Sequence, residues 1–356
     1  MSRRPYPFVD WMKAIGMVLI VYGHTTRTST VAAPIYLKQL GVALFLFSTG
    51  FTLAREQRPA LAVLFNRLFQ VWLFGLTLAF AIAFSGAVSG SGMALSNFLP
   101  LLGGANVLFN HFPANPTTWY LGTYLHLLVV WAVWLRRIRI RPWMVAVALA
   151  LEIPVRAALI AVAGPFVAYM LLTNWIGVFL LGMARGADAS DDAGTAWRHV
   201  VPLGAGLVLW AGIARSAAFD ATFPFMTARD WPAPLGLVVA SLGVSFLYTA
   251  AAALAFEATR RVAAPAPVTL LARNTPIIFL AHMPVALALH PVLLEWGFTY
   301  PARVAVQLLV CLLGLALVSE VIRRVVKPER LAARVRESFA APPAPLATPV
   351  AGPLPS

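Results

Sequence analysis

The chain has one cysteine, Cys311, in 356 residues, so no internal disulfide can form and nothing is said about redox compartment. Charge is scarce: 11% of residues are charged, against about 25% in a soluble domain, and carboxylates (13) are half as frequent as basic side chains (27). No His/Cys/carboxylate spacing resembles a known metal site, and no phosphate-cradling glycine loop is present. No internal repeat is evident, which disfavours an inverted-repeat transporter. No cleavable signal peptide is expected either. The first apolar run holds Asp10 and Lys13 and has no small-residue cleavage site leading into a soluble domain.

Apolar residues are abundant instead, at 60% against about 45–50% in a soluble domain. Runs of about 20 apolar residues, each long enough to cross a bilayer as a helix, recur along the chain. The pattern predicts an all-α, polytopic membrane protein with ten spans, near 8–25, 33–54, 68–89, 117–135, 142–163, 166–184, 199–214, 233–256, 268–290 and 302–323. The membrane domain then covers 1–337, and the Pro/Ala-rich segment 338–356 reads as a disordered cytosolic tail.

The net charge of +14 does not point to nucleic acid, because the basic residues lie in short clusters between apolar runs. Assigned alternately to the two faces, twenty basic residues fall on the N-terminal side and five on the other. That bias predicts both termini in the cytosol. The segment between the third and fourth spans is then outside. It is long, uncharged and rich in polar groups: Asn97, Asn106, Asn110, His111 and Asn115.

Ionisable residues within spans are costly and mark candidate sites. In the first span, Lys13 and His24 are eleven residues apart, which returns a helix to within about 20° of the same face, and Asp10 joins that face one turn before Lys13. A neutral imidazole at position 24 could take a proton from a sugar hydroxyl, or could be a polar residue at the interface. Asp10 and Lys13 could neutralise each other or take part in chemistry. Glu152 and Arg156 form an i,i+4 pair about Pro154, which is expected to kink the fifth span. The pair either lines a cavity or pins two helices together. His282, in mid-span, fits an interhelical hydrogen bond. Arg67 opens the third span near Arg55 and Arg58, and these could serve topology or hold phosphates.

Together these residues resemble the membrane-bound acyltransferase type 3 family. Lys13 and His24 match its basic residue, ten positions and histidine. Gly41-Val-Ala-Leu-Phe-Leu-Phe-Ser-Thr-Gly-Phe51 is similar to its second-span run. Trp119-Tyr120-Leu121 and Ile278-Phe279-Leu280-Ala281-His282-Met283-Pro284-Val285 follow in the family's order. The set covers about residues 8–330. The chain departs from the family pattern at Lys13, where arginine is common, at Thr49, where serine is usual, and at Pro276, where an aromatic is usual. Arg67 also stands where paired arginines are frequent. A periplasmic hydrolase-like domain, which some members append, is not expected here.

The resemblance implies transfer of an acyl group, usually acetyl, from cytosolic acyl-CoA to a hydroxyl of an extracytoplasmic glycan or related acceptor. The enzyme would lie in the bacterial cytoplasmic membrane with no bound cofactor, acyl-CoA being a co-substrate. His24 would be general base or transient acyl carrier, and Lys13 and Asp10 would line the donor channel. Arg67 and Arg58 would meet CoA phosphates. Trp119, Tyr120, His282, Glu152 and Arg156 would face substrate, the alternative for His282 being to orient a neighbour. The rival readings are a transporter or flippase using Glu152, Arg156 and Lys13 as midplane charges, and a structural membrane subunit.

Overall fold

The computed structural model describes residues 6–26, 37–88, 103–110, 115–187, 201, 204–209, 212, 219–222, 224–228, 230 and 232–338. Among these the chain is helical apart from one short antiparallel hairpin, β1 (Phe219–Thr222) and β2 (Phe225–Ala228). The hairpin is a small departure from the all-α expectation. Gln39 anchors it to the bundle, its Nε2 donating to the Pro224 carbonyl at 2.6 Å while its Oε1 accepts from Tyr248 Oη at 2.8 Å.

In chain order the helices are α1 (Pro7–Thr25), α2 (Leu37–Ala54), α3 (Ala60–Val88), α4 (Trp119–Val133), α5 (Pro142–Ala163), α6 (Pro165–Met170) and α7 (Ile176–Ala187). The hairpin is followed by α8 (Ala233–Thr259), α9 (Ala266–Glu295), α10 (Tyr300–Leu309), α11 (Leu315–Val326) and α12 (Pro328–Ser338). Six described helical stretches are long and apolar enough to cross a membrane: Ala60–Ser85, Pro116–Arg137, Pro142–Ala163, Pro234–Thr259, Ala266–Glu295 and Tyr300–Val326. Shorter apolar helices, Lys38–Ala54 and Ile176–Ala187, pack among them. The protein is a multi-pass membrane protein by these helices.

Several boundaries differ from the sequence reading. The segment 166–184 is not one rod but α6, a 3₁₀ turn at Leu172–Asn174, and α7. Buried Asn174 is used in that break as a side-chain hydrogen-bond partner, as described below. The third span begins at Ala60, directly after Pro59, which puts Arg67 about two turns inside the helix and not at its mouth. The last span runs through a π-helical stretch, Val310–Gly314. α5 continues through Pro154. Of 199–214 only 201, 204–209 and 212 are described, and the Pro/Ala-rich segment after 338 lies outside the described residues.

The bundle is organised about α2, which packs on α1 on one side and α7 on the other. Small residues make both contacts. A Cβ at Gly41 would collide with the Gly16 carbonyl oxygen of α1, and one at Gly182 would collide with the Phe47 carbonyl oxygen of α2. Close backbone approach of this kind is how helices associate when lipid removes the hydrophobic drive between them. α1, held on α2, also lies along α9, so its polar stripe faces an interior lined by three helices.

Candidate functional site

α1 presents its polar residues at two separate cavities. At its C-terminal end His24 lines a cavity of about 360 Å³ with Lys38, Asn110, Thr117, Trp119 and Tyr169. Nearer its N-terminal end Lys13 lines another of about 320 Å³ with Thr49, Asn66, Arg67, Tyr124 and Arg273. Eleven helical residues separate Lys13 from His24, roughly 16 Å of axis. A third cavity, about 260 Å³, also reaches His24, with Thr25, Leu287, His290 and Gln307 around it. Asp10 is half-buried in the first turn of α1 and lines none of these cavities.

Adjacent residues of α4 serve different cavities. Trp119 faces the His24 cavity and Tyr120 the Lys13 cavity. Tyr120 lies 4.9 Å from Phe279 and 6.5 Å from Phe45 between ring centroids, and Phe45 lies 6.2 Å from Phe279. These three rings bound the Lys13 cavity together. Trp119 is held on the other side by stacking with Trp175 at 6.1 Å and by Tyr169 at 4.9 Å.

The Lys13 cavity collects three cations, Lys13, Arg67 and Arg273, and no carboxylate lines it. Arg67 is oriented by donating to Thr52 Oγ1 at 2.9 Å and to Tyr124 Oη at 3.4 Å. Arg273 reaches Glu320 at 2.8 Å from a half-exposed position. A wall with three cations and no lining carboxylate, Glu320 pairing Arg273 from outside the lining, suits a multiply charged anion. Arg58 belongs elsewhere: it pairs with Glu56 at 2.8 Å, its side chain is largely exposed, and it lines none of these cavities. Arg58 lies before α3 and Arg67 two turns into it, so the two do not line the cavity together.

The profile of the acyltransferase domain family matches residues 6–320. The chain belongs to the acyltransferase 3 family. A search of curated proteins returned no match, and neither did a search of solved structures. Membership of the family carries transferase chemistry and a membrane location.

In this acyltransferase, Glu152 and Arg156 are fully enclosed and line none of the three cavities. Arg156 pairs with Glu152 and donates from Nε to Asn174 Oδ1 at 2.6 Å, and from Nη1 to the Ser241 carbonyl at 2.6 Å and Ser245 Oγ at 3.0 Å. Glu152 also accepts from Ser245 Oγ at 2.9 Å and from the Gly177 N–H at 3.0 Å. The network ties α5, the 3₁₀ turn, α7 and α8 together. The pair joins four elements and lines none of the three cavities. Each polar atom of the pair has at least one partner within the protein.

His282 is likewise enclosed and lines none of the three cavities, although its ring lies 5.1 Å from that of His24 between centroids. Sequence reasoning missed Arg273, which it counted only for topology, Asn115, which it placed in an outer loop, and Thr117, at the start of the fourth span. The signal for Arg273 was its position just ahead of the Pro276–His282 stretch on the same helix. Nothing in the sequence ties Asn115 to α9.

Proposed function

We propose that this protein is an O-acyltransferase, and specifically an O-acetyltransferase. It moves an acetyl group from cytosolic acetyl-CoA to a hydroxyl of an extracytoplasmic glycan or related acceptor, in the cytoplasmic membrane of a bacterium. The observation that carries the reading is the pairing of two cavities along one helix. One is lined by three cations and no carboxylate, and the other is bordered by a histidine, a single lysine, an indole and neutral polar side chains. CoA phosphates fit the first, where Lys13, Arg67 and Arg273 lie, and a sugar-like acceptor fits the second, where Trp119 offers a flat apolar face and Asn110 and Thr117 offer hydrogen bonds.

His24 is the general base in this reading. Its neutral ring takes the proton of the acceptor hydroxyl as that oxygen attacks the thioester carbonyl carbon. The tetrahedral adduct then collapses with cleavage of the carbon–sulfur bond, and the proton is passed to the departing CoA thiolate. Ester and free CoA thiol result, with atoms and charge balanced. Lys13 supports the donor electrostatically from the other end of α1. Asp10 acts through Lys13 and not on substrate, since it lines neither cavity.

The arrangement needs the cationic cavity on the cytosolic side, which ten spans with both termini inside would provide. Cysteine scanning in a Cys311→Ala background tests this. A cysteine at Arg139 should resist a membrane-impermeant thiol reagent in intact cells, and one at Glu295 should react. The activity test uses purified protein with acetyl-CoA labelled in the acetyl group. Consumption of acetyl-CoA that depends on added hydroxyl acceptor supports the reading. Acceptor translocation with acetyl-CoA untouched would replace it with a transporter.

A further inference from the structure

His282 lies in the middle of α9 with 0% of its surface exposed. Its Nδ1 is 2.7 Å from the Phe279 carbonyl oxygen and 3.2 Å from that of Ile278. Carbonyl oxygens only accept, so Nδ1 carries the ring proton and donates to both. Nε2 is left as a lone-pair acceptor. It is buried and has no hydrogen-bond partner among the described residues. Buried acceptors in folded proteins are nearly always met, so an unmet one asks what group meets it when the protein works.

The surroundings narrow the answer. Phe279 packs on the ring at 5.9 Å and has no polar hydrogen. Gln307 gives one amide N–H to the Ala286 carbonyl and makes no hydrogen bond to the His282 ring, and Cys311 Sγ is placed on the backbone carbonyl of His282, not on its ring. The remaining ring alongside is that of His24, at 5.1 Å between centroids and tilted by 54°.

We propose that His282 is a positioning residue whose Nε2 accepts an N–H from His24, directly or through one water. In neutral His24 this keeps the proton on the ring nitrogen turned toward His282 and leaves the other nitrogen basic, turned toward the acceptor. When His24 takes the hydroxyl proton it becomes an imidazolium with two N–H groups, and His282 holds the second of them. His282 itself neither gains nor loses a proton. The backbone carbonyls of Ile278 and Phe279 fix its tautomer, so the order runs from α9 backbone to His282 to His24. The inference rests on His24 being the base, and its test separates the two claims.

The experiment compares wild type with His282→Leu, which removes both ring nitrogens, and His282→Gln, whose amide oxygen restores an acceptor. Protein labelled with ¹⁵N-histidine in lipid nanodiscs gives the tautomer of His24 from its ring-nitrogen resonances, assigned by their loss in His24→Gln. With six histidines in the chain the assignment is tractable. The expected result is one neutral tautomer in wild type and in His282→Gln, and a mixture in His282→Leu. In parallel, kcat should fall about 10- to 100-fold in His282→Leu with both substrate KM values nearly unchanged, and recover at least partly in His282→Gln. An unchanged His24 tautomer in a folded His282→Leu protein would overturn the proposal. So would a raised acceptor KM with kcat intact, which marks a substrate contact. If the tautomer shifts as expected but His24→Gln retains activity, the positioning stands and the general-base reading fails.

Discussion

Asn115 donates from Nδ2 to the main-chain carbonyl of Leu280, 165 residues away, at 2.7 Å. Pro284 creates the need for this bond. The helical partner of the Leu280 carbonyl would be the N–H of residue 284, and proline has none. Thr117 Oγ1 lies 3.4 Å from the same carbonyl while donating to Asn115 Oδ1 at 2.8 Å, and Asn115 also caps the 3₁₀ turn that leads into α4. One side chain thus sets α4, which carries Trp119 and Tyr120, against the part of α9 that carries His282.

Asn115→Ala should therefore lower stability by about 1–3 kcal/mol, the cost of a buried acceptor left unmet. Thr117→Val should cost less, since its bond to Leu280 is the longer. Thermal unfolding in a fixed detergent measures both. A neutral Asn115→Ala would mean that the two helices are held by packing alone.

Breaking the Glu152–Arg156 pair should be more damaging than removing it. Glu152→Ala strands a buried guanidinium and should cost about 3–5 kcal/mol, whereas Glu152→Leu with Arg156→Met should recover most of that loss. Folded yield and unfolding midpoint give the ranking. Equal damage from the single and the paired replacements would point to a function for the charges beyond pinning.

His24→Ala should reduce kcat by at least about 100-fold while the protein still inserts and folds, because a positioned base typically contributes about 10²–10⁴-fold. His24→Gln should be nearly as inactive, since an amide cannot accept a proton at neutral pH. Steady-state transfer of labelled acetyl by folded variants decides it. Substantial transfer by His24→Gln would remove His24 from the role of base.

Arg67→Ala should raise the donor KM about 10- to 150-fold with a smaller effect on kcat, since a phosphate contact exists in ground and transition states alike. Arg273→Ala should act in the same direction and more weakly, because Arg273 is half-exposed and already paired with Glu320. Arg58→Ala, outside the cavity, should leave donor KM within about twofold. Titration of acetyl-CoA against each variant measures the series. A kcat loss without a KM change for Arg67 would place that residue at the chemical step.

The sequence by itself determined the helical membrane character, the polar stripe on α1 and the family. All three depend on local pattern: apolar run length, the 3.6-residue period, and motif order. It also paired Glu152 with Arg156, because an i,i+4 contact lies within one helix. Tertiary structure alone decided which polar residues meet. Arg273 joins Lys13 and Arg67 in one cavity from three different helices, and Trp119 and Tyr120, adjacent in sequence, part to different cavities. The approach of His282 to His24 and the rescue of the Leu280 carbonyl by Asn115 span more than 160 residues. Such contacts depend on how helices cross, and that is set by the close approaches at Gly16, Gly41 and Gly182, which no periodicity in a single segment encodes.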